Sequence, residues 1–414
     1  MNVLHINTYD RAGGAEQFAY DLTHFTSLNN HLGVKRKQTN SSKTFVVPRN
    51  KRSYLQEYTD KAFYKLFKRT LLADIGVLRP FHGTEAHLLN SSFYQEADVV
   101  NFHNLHFDYF DLKALLTIAK QKPFVWSLHD LWSVTGGETY TFENENFKKG
   151  LPDTPYNKLH PLLHPLIDRR AACMAAKKAI YQQLSHNLVI VVPCKWLGQN
   201  IREAAIVPKE ARIVQIQYGI NTELVSNENR RTWPLPRVLF INTSNPFKGA
   251  RLVKQILGRL EGKFELHVVG DPLPEFPDAV HLPRIQNDRT ALNQLYNSID
   301  VMIFPSEAEN SPLTTMEAMT AGVLVVASSA GGIPEQVGEA GLIFEKSNAE
   351  GLLKVLNQVL AMPLADIRAH GQAAQIRAEK KFSLNRLNQD YTNLYQNLLS
   401  ERTKGMIDMS LNMF

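Results

Sequence analysis

Two apolar runs, Val301-Met302-Ile303-Phe304 and Val323-Leu324-Val325-Val326, flank a stretch patterned as a helix, and no other feature limits the fold of this chain as tightly. Short apolar runs bounded by turn residues suit parallel strands buried on both faces. Between them a polar loop, Pro305 to Asn310, carries Glu307 and Glu309. Ser311 is expected as the N-cap of the helix and Pro312 as its first residue, where a missing N–H costs nothing. The helix then runs through Met316, Ala318 and Met319 and stops at Gly322, a natural C′ residue. Gly331-Gly332 opens the loop after the second strand.

In a strand–loop–helix–strand unit the free helix N-terminus points to the carboxyl edge of the sheet, where ligands bind. Unpaired N–H groups there, near Leu313 and Thr314, favour an anion such as phosphate. Glu309 lies in the loop and Glu317 inside the helix, with seven residues between them. Carboxylates accept from vicinal diols, so ribose and hexose hydroxyls are their natural partners. The plain alternative is a solvated loop glutamate and an exposed helical one.

The stretch PSEAENSPLTTMEAMTAG, followed by GGIPE, resembles the Glu-x7-Glu signature of family 4 glycosyltransferases, retaining enzymes of the GT-B fold. The resemblance implies an α/β architecture of two Rossmann-like domains facing each other across a cleft. In that frame residues 1–225 form the acceptor-side domain. Residues 226–236, polar and with two prolines, form a linker, and 237–383 form the donor domain. A helix over 384–402 returns to the first domain, and 403–414 is a loosely held tail.

With 414 residues the chain is long enough for two substantial cores. Cys173 and Cys194 are too few for a disulfide framework and have no metal-ligand spacing. The start, MNVLHINTYD, lacks a basic region followed by a long apolar run, and no apolar stretch is long enough to span a bilayer. These features predict a cytoplasmic protein. A net charge of +6 permits contact with anionic lipid at the inner face of the membrane or with a nucleotide, and no nucleic-acid motif is present.

Val3 to Asn7 is expected as the first strand, with a loop to Gly13-Gly14 and a helix from Ala15 to Ser27. The glycine pair allows close backbone approach to a ligand, or simply a tight turn. The resemblance implies that Gly13 and Gly14 face the donor diphosphate. In residues 48–80 basic side chains alternate with aromatics, and Phe63, Phe67 and Leu71 share one helical face. That helix either touches anionic membrane or packs on the core with a solvated basic side. Strands ending at His103 and at His129-Asp130 put these residues at the ligand edge. SLHDLWSVTGG also resembles a family segment. Residues 138–165 are irregular, and acceptor contacts are expected there. A helix is expected from Leu166 to Leu184.

In the second half the loop Thr243-Ser244-Asn245-Pro246-Phe247-Lys248-Gly249 joins a strand to a helix, placing Lys248 to meet a diphosphate. Many relatives carry arginine where Thr243 stands. Either the Thr243 and Ser244 hydroxyls do part of its work or Arg251 does.

The roles implied by the resemblance follow. Lys248, Glu309 and His129 are catalytic. Gly13, Gly14, Thr243, Ser244, Lys248, Glu309, Ser311, Leu313, Thr314 and Glu317 bind the donor. Glu317 holds ribose, Glu309 the donor sugar, and Lys248 with the amides of Leu313 and Thr314 the diphosphate. His129 supports the sugar near the reacting carbon, and His103 and Asp130 lie on the acceptor side. No Asp-x-Asp occurs, so no metal is expected, and no cofactor beyond the nucleotide-sugar substrate. The acceptor is a saccharide or a lipid-linked one. A sugar-nucleotide epimerase, a sugar phosphorylase and a non-catalytic glycan- or nucleotide-binding homologue are the alternatives.

Overall fold

The computed structural model describes residues 1–26, 28–67, 70–72, 83–106, 109–152, 165–221, 233–285 and 288–404. The chain divides into two compact units, Met1–Ile216 with Asn388–Phe414, and Gln217–Leu387. Of the expected linker, 226–232 lie outside the described residues, as do 405–414 of the tail and 153–164 of the irregular stretch.

The first unit is built on strands β1 (Asn2–Tyr9), β2 (Asn29–Arg36), β3 (Thr44–Val46), β5 (Val99–Phe102), β6 (Phe124–Ser127), β8 (Val189–Val192) and β9 (Arg212–Gln215), with β4 (Thr70–Leu72) and β7 (Pro165–Ile167) paired separately. The main sheet runs β3-β2-β1-β5-β6-β8-β9, with every neighbouring pair parallel. One face is apolar, with Leu4, Ile6, Val100, Phe102, Phe124, Trp126 and Ile190 in a single core. The other face is different. His5, Asn7, Asn101 and Ser127 are all buried there, in strands whose period of two sends alternate side chains to it. The last helix, Leu384–Thr403, lies over this polar face: Tyr395 Oη accepts from Asn101 Nδ2 at 2.7 Å and Tyr391 Oη is 2.9 Å from Ser127 Oγ. Buried polar atoms that find such partners cost little.

The second unit holds β10 (Arg237–Asn242), β11 (Glu265–Gly270), β12 (Val280–Leu282), β13 (Val301–Phe304), β14 (Leu324–Ser328) and β15 (Leu342–Phe344), ordered β12-β11-β10-β13-β14-β15 and wholly parallel. Val238, Phe240, Val301, Ile303, Leu324 and Val326 pack with helices Ala250–Ile256 and Ala349–Leu360. On the far side helix Leu364–Phe382 crosses helix Leu313–Thr320 so closely that a Cβ added at Gly371 would lie 2.0 Å from the Gly322 carbonyl oxygen.

Three local expectations change. Pro312 is the N-cap, extended at ψ 126, and the helix begins at Leu313 with no side-chain cap, so Ser311 stands one residue outside it. Leu71 lies in β4, beyond the helix Lys51–Phe67, so it shares no helical face with Phe63 and Phe67; most of the remaining stretch to residue 80 falls outside the described residues. The helix expected from Leu166 starts at Arg170, because Pro165–Ile167 pairs with β4 as a strand. At the other end of the 313–320 helix the expectation holds. Gly322 has φ 71, its N–H donates to Met319 O at 3.0 Å, and the Val323 N–H donates to Ala318 O at 3.0 Å, the paired bonds of a Schellman stop.

Candidate active site

In the second unit the exits of β10 and β13, neighbouring parallel strands, are fastened together. The β10 exit turns through Pro246–Lys248, where the Asn245 side chain accepts from the Phe247 N–H at 3.0 Å. Phe247 O in turn accepts from the Glu307 N–H at 2.7 Å. Gly249 has φ 75, and a Cβ there would fall 2.1 Å from the Pro305 carbonyl oxygen, so only glycine lets the two loops close. This contact delivers Lys248 to Glu309: Nζ donates to Oε1. Ser306 Oγ lies 3.0 Å from the same carboxylate oxygen and 3.1 Å from Phe247 O, and Ser328 Oγ donates to Ser306 O. Glu309 is buried, whereas the lysine is partly exposed.

Glu317 is held as firmly. Its Oε1 accepts from Arg289 Nη1 at 3.2 Å and its Oε2 from Tyr296 Oη at 3.2 Å. Both partners stand on helix Arg289–Asn297, seven residues and two turns apart, hence on one face. Burial, with Glu317 beside it, holds the Tyr296 hydroxyl well above its ordinary pKa, so it stays a donor. The first turn of the 313–320 helix is fixed by Gln336, whose Nε2 lies 2.8 Å from Pro312 O and 2.6 Å from Thr315 Oγ1. Arg289, Tyr296 and Gln336 were not singled out from sequence; the i, i+7 spacing of the first two was the available signal. Thr243 Oγ1 is buried with no hydrogen-bond partner among the described residues, and Ser244 is exposed.

In the first unit Gly13 caps helix Gly14–His24, and its amide donates to Glu16 Oε2 at 3.0 Å; Gly14 is exposed. The three imidazoles of His5, His103 and His129 are stacked and buried. His5 Nδ1 is 3.1 Å from His103 Nε2, and His103 Nδ1 is 3.0 Å from His129 Nε2. Both ring nitrogens of His103 are thereby used, which puts it behind His129 rather than on an acceptor surface of its own. Burial brings His129 down to about 4 despite Asp130. Burial and then His24 bring His5 down to about 3, and burial followed by His129 and His5 holds His103 well below the ordinary value. All three are neutral near pH 7. Asp130 Oδ1 accepts from the Trp132 N–H at 2.8 Å, and Oδ2 lies 3.5 Å from His106 Nε2. The loop beyond is propped from below by two buried cations that sequence reasoning missed. Lys177 sits 3.7 Å from the Trp132 ring centre and donates to Thr135 O at 3.0 Å, and Arg170 pairs with Glu138 at 2.6 Å.

Residues 236–362 match the family model described as glycosyl transferases group 1. Over 96% of this chain and all of its own length, the putative colanic acid biosynthesis glycosyl transferase WcaC of Escherichia coli is 25% identical. Sucrose-phosphate synthase from Thermosynechococcus elongatus superposes with a TM-score of 0.66 at 16% identity, covering 97% of this chain and 99% of its own. Anabaena Alr3699/HepE, solved in complex with UDP, superposes with a TM-score of 0.61 at 16% identity, covering 96% and 100%. The stretch that matches the group 1 model lies within the second unit, and the chain is a glycosyltransferase on the α/β GT-B fold.

Proposed function

We propose that the protein is a retaining family 4 enzyme that moves a sugar from a nucleotide-sugar donor to a saccharide or lipid-linked acceptor in surface-polysaccharide synthesis. The observation that carries this is the grouping at one sheet edge of the Lys248–Glu309 pair, the braced Glu317 and the N-terminus of helix Leu313–Thr320. The WcaC name supports the polysaccharide context, and the UDP complex of HepE supports a nucleotide donor.

In this reading Glu317 takes the ribose diol and Glu309 the donor sugar hydroxyls. The bond between the anomeric carbon and the phosphate oxygen breaks, charge gathers on the departing diphosphate, and Lys248 with the amides of Leu313 and Thr314 receives it. Preorganised donors of this kind contribute about 3–4 kcal/mol each to the barrier reduction. The acceptor oxygen attacks on the same face, and its proton passes to the leaving phosphate, so configuration is retained. An ammonium group and a helix end do the electrostatic work that other enzymes give to a metal held by Asp-x-Asp, a motif this sequence lacks. Gly13 and Gly14 approach the diphosphate as backbone, Thr243, Ser244 and Ser311 as hydroxyls, and His129 supports the sugar. Asp130 orders the acceptor loop.

The reading also takes the enzyme to work on the cytoplasmic side, resting on the membrane. Helix Lys51–Phe67 supports this. Leu55, Tyr58, Leu66 and Phe67 are 59–75% exposed on it, beside exposed Lys51, Arg52, Lys61 and Lys65. No helix among the described residues is long and apolar enough to cross a membrane.

The test is nucleotide release from a panel of nucleotide sugars in the presence of a chelator, with the anomeric configuration of the product read by NMR. Acceptor-dependent release with retention is expected. Conversion of the donor without an acceptor would make the enzyme an epimerase and overturn the reading.

A further inference from the structure

The carboxyl end of strand β2 gathers four cations around a single carboxylate. Lys35 and Arg36 are the last two residues of β2, which runs parallel to β1 with Arg36 paired to Tyr9. Period two sends their side chains to opposite faces of the sheet. Both nevertheless reach Glu57: Lys35 Nζ lies 3.8 Å from Oε2, and Arg36 donates to Oε1. Glu57 therefore stands off the end of the strand, at the edge where sheets of this kind bind ligands. Two more cations converge there. Arg49, three residues beyond β3, donates to Oε2 at 3.1 Å. Lys61, one turn on from Glu57 in helix Lys51–Phe67, lies 2.9 Å from Oε1.

One acid does not balance this group. Four cations and one carboxylate leave three positive charges among the five side chains. Ion pairs that only fasten surface elements need no such excess; Arg259–Glu350 and Lys254–Glu275 are one to one. Two of the four cations are also withdrawn from water, since the Arg49 side chain is 3% exposed and that of Lys35 8%. Burying like charges side by side is costly unless they share a further anion. Arg49 also keeps a donor in hand: its Nε is buried and has no hydrogen-bond partner among the described residues. Against burial, Lys61, Lys35, Arg36 and Arg49 hold the Glu57 carboxyl well below the usual range, so near neutral pH it is an anion that competes with any ligand for the same donors.

Access and surroundings say what would bind. Arg36 and Lys61, 43% and 55% exposed, leave the group open to solvent. Two guanidinium forks and two ammonium groups in one place suit a phosphate, whose oxygens accept several charged hydrogen bonds at once. Aromatic side chains stand beside them. The Arg49 guanidinium carbon lies 4.4 Å from the Tyr54 ring centre, and Lys61 Nζ lies 5.7 Å from that of Tyr58. Tyr54 and Tyr58 are themselves exposed, as is Leu55, three residues from Tyr58 and hence its neighbour on the helix. Cations at a strand edge next to exposed apolar side chains match a phosphate attached to hydrocarbon.

We propose that Arg36, Arg49 and Lys61, with Lys35 behind them, form a binding site for a phosphate group carried on a lipid, and that Glu57 is the internal anion that group displaces. Two sources share this chemistry: the diphosphate of a lipid-linked acceptor and the headgroup of a bilayer phospholipid. Assigning the group to the acceptor rests on the transferase reading, whereas phosphate binding at the cluster does not.

The experiment has two arms, both on the full chain. In the first, a short-chain prenyl diphosphate below its micelle concentration is titrated into the protein by calorimetry. In the second, the protein is sedimented with phosphatidylcholine vesicles, with and without phosphatidic acid. Neither arm uses the sugar donor or measures turnover, so the transferase reading can fail without deciding this one. Arg36→Gln and Lys61→Gln, at exposed side chains that the fold tolerates losing, should each weaken binding about tenfold, as expected on removing a charged hydrogen bond. Glu57→Gln should act in the opposite direction and tighten binding about fivefold, because the competing side chain has lost its charge. A network that only stabilises the fold would lose stability in Glu57→Gln and gain no affinity. Losses in the soluble arm identify a lipid-linked diphosphate as the ligand; losses seen only with phosphatidic acid vesicles identify a bilayer headgroup. Indifference of both arms to Arg36→Gln and Lys61→Gln overturns the proposal, and so does a folded Glu57→Gln that binds no more tightly than the parent protein.

Discussion

Lys248 and Glu309, 61 residues apart, meet as an ion pair in which a partly exposed ammonium donates to a buried carboxylate. With no donor bound each neutralises the other, and each is proposed to serve a different part of the donor. Glu309→Gln should separate the two tasks. The amide still reaches a sugar hydroxyl but no longer holds the ammonium. A nucleoside diphosphate, lacking the sugar, should bind as tightly as before or tighter, whereas turnover should fall about a hundredfold or more. Calorimetry and initial rates on the same preparation check the pair of outcomes; parallel losses in both would contradict the separation.

Glu317 offers a second contrast. Tyr296 touches only its carboxylate in the proposed arrangement, so Tyr296→Phe should weaken nucleotide binding through loss of one hydrogen bond, by about 1 kcal/mol. Glu317→Gln should cost more because it also weakens the ribose contact. KM for the donor is the measurement, and equal effects from the two substitutions would remove Glu317 from the ligand.

The close approach of the β10 and β13 exits depends on Gly249. Alanine there would hold a strained positive φ, costing about 1–3 kcal/mol, and would push on the Pro305 carbonyl as well. Gly249→Ala should lower the unfolding midpoint and the activity together. Gly258→Ala is the matched control, since nothing lies within 4 Å of an added Cβ. Thermal unfolding of the two variants decides it.

The buried imidazoles make stability depend on acidity in a stated direction. His5, brought down to about 3, and His129, brought down to about 4, bind protons more weakly folded than unfolded, where the value is near 6.5. The unfolded chain therefore takes up more protons between those values. Stability from this source is complete above pH 6.5 and is lost as pH falls towards 4 and then 3, by up to about 1.4 kcal/mol per pH unit for each ring. His5→Phe should flatten this acid limb by one such contribution. Denaturant melts from pH 7 to pH 4 would show it, and identical slopes would refute it.

Much of this architecture was visible in the chain because buried parallel strands write themselves as short apolar runs: Val301–Phe304 and Val189–Val192 are such runs, and Gly322 ends its helix with the bonds that glycine permits. The partners of the site residues were harder to see. Lys248 finds Glu309 through the register of β10 against β13, and Arg289 and Tyr296 reach Glu317 from a helix packed alongside, neither of which local spacing encodes. The short β4–β7 pairing escaped because a strand containing proline has weak propensity and relies on its neighbour. His5 hid in plain view. Read with period two, His5 and Asn7 fall on one face of β1 while Leu4 and Ile6 fall on the other, and that alternation marked a polar interior.

Membrane contact through helix Lys51–Phe67 is tested by sedimentation with vesicles. Leu55→Glu with Leu66→Glu should abolish binding to anionic vesicles, leave neutral vesicles unbound as before, and leave the thermal midpoint nearly unchanged, since both side chains are largely exposed. Binding that survives the double change would place the contact elsewhere.

The most direct test of the account is calorimetric titration of the nucleoside diphosphate product into the parent protein and Lys248→Ala, both with a chelator present. The account predicts binding by the parent protein without a divalent cation, and a loss of about tenfold to a hundredfold on removing one charged hydrogen-bond donor. Equal affinity in the two proteins, or binding that appears only when a divalent cation is added, would contradict it.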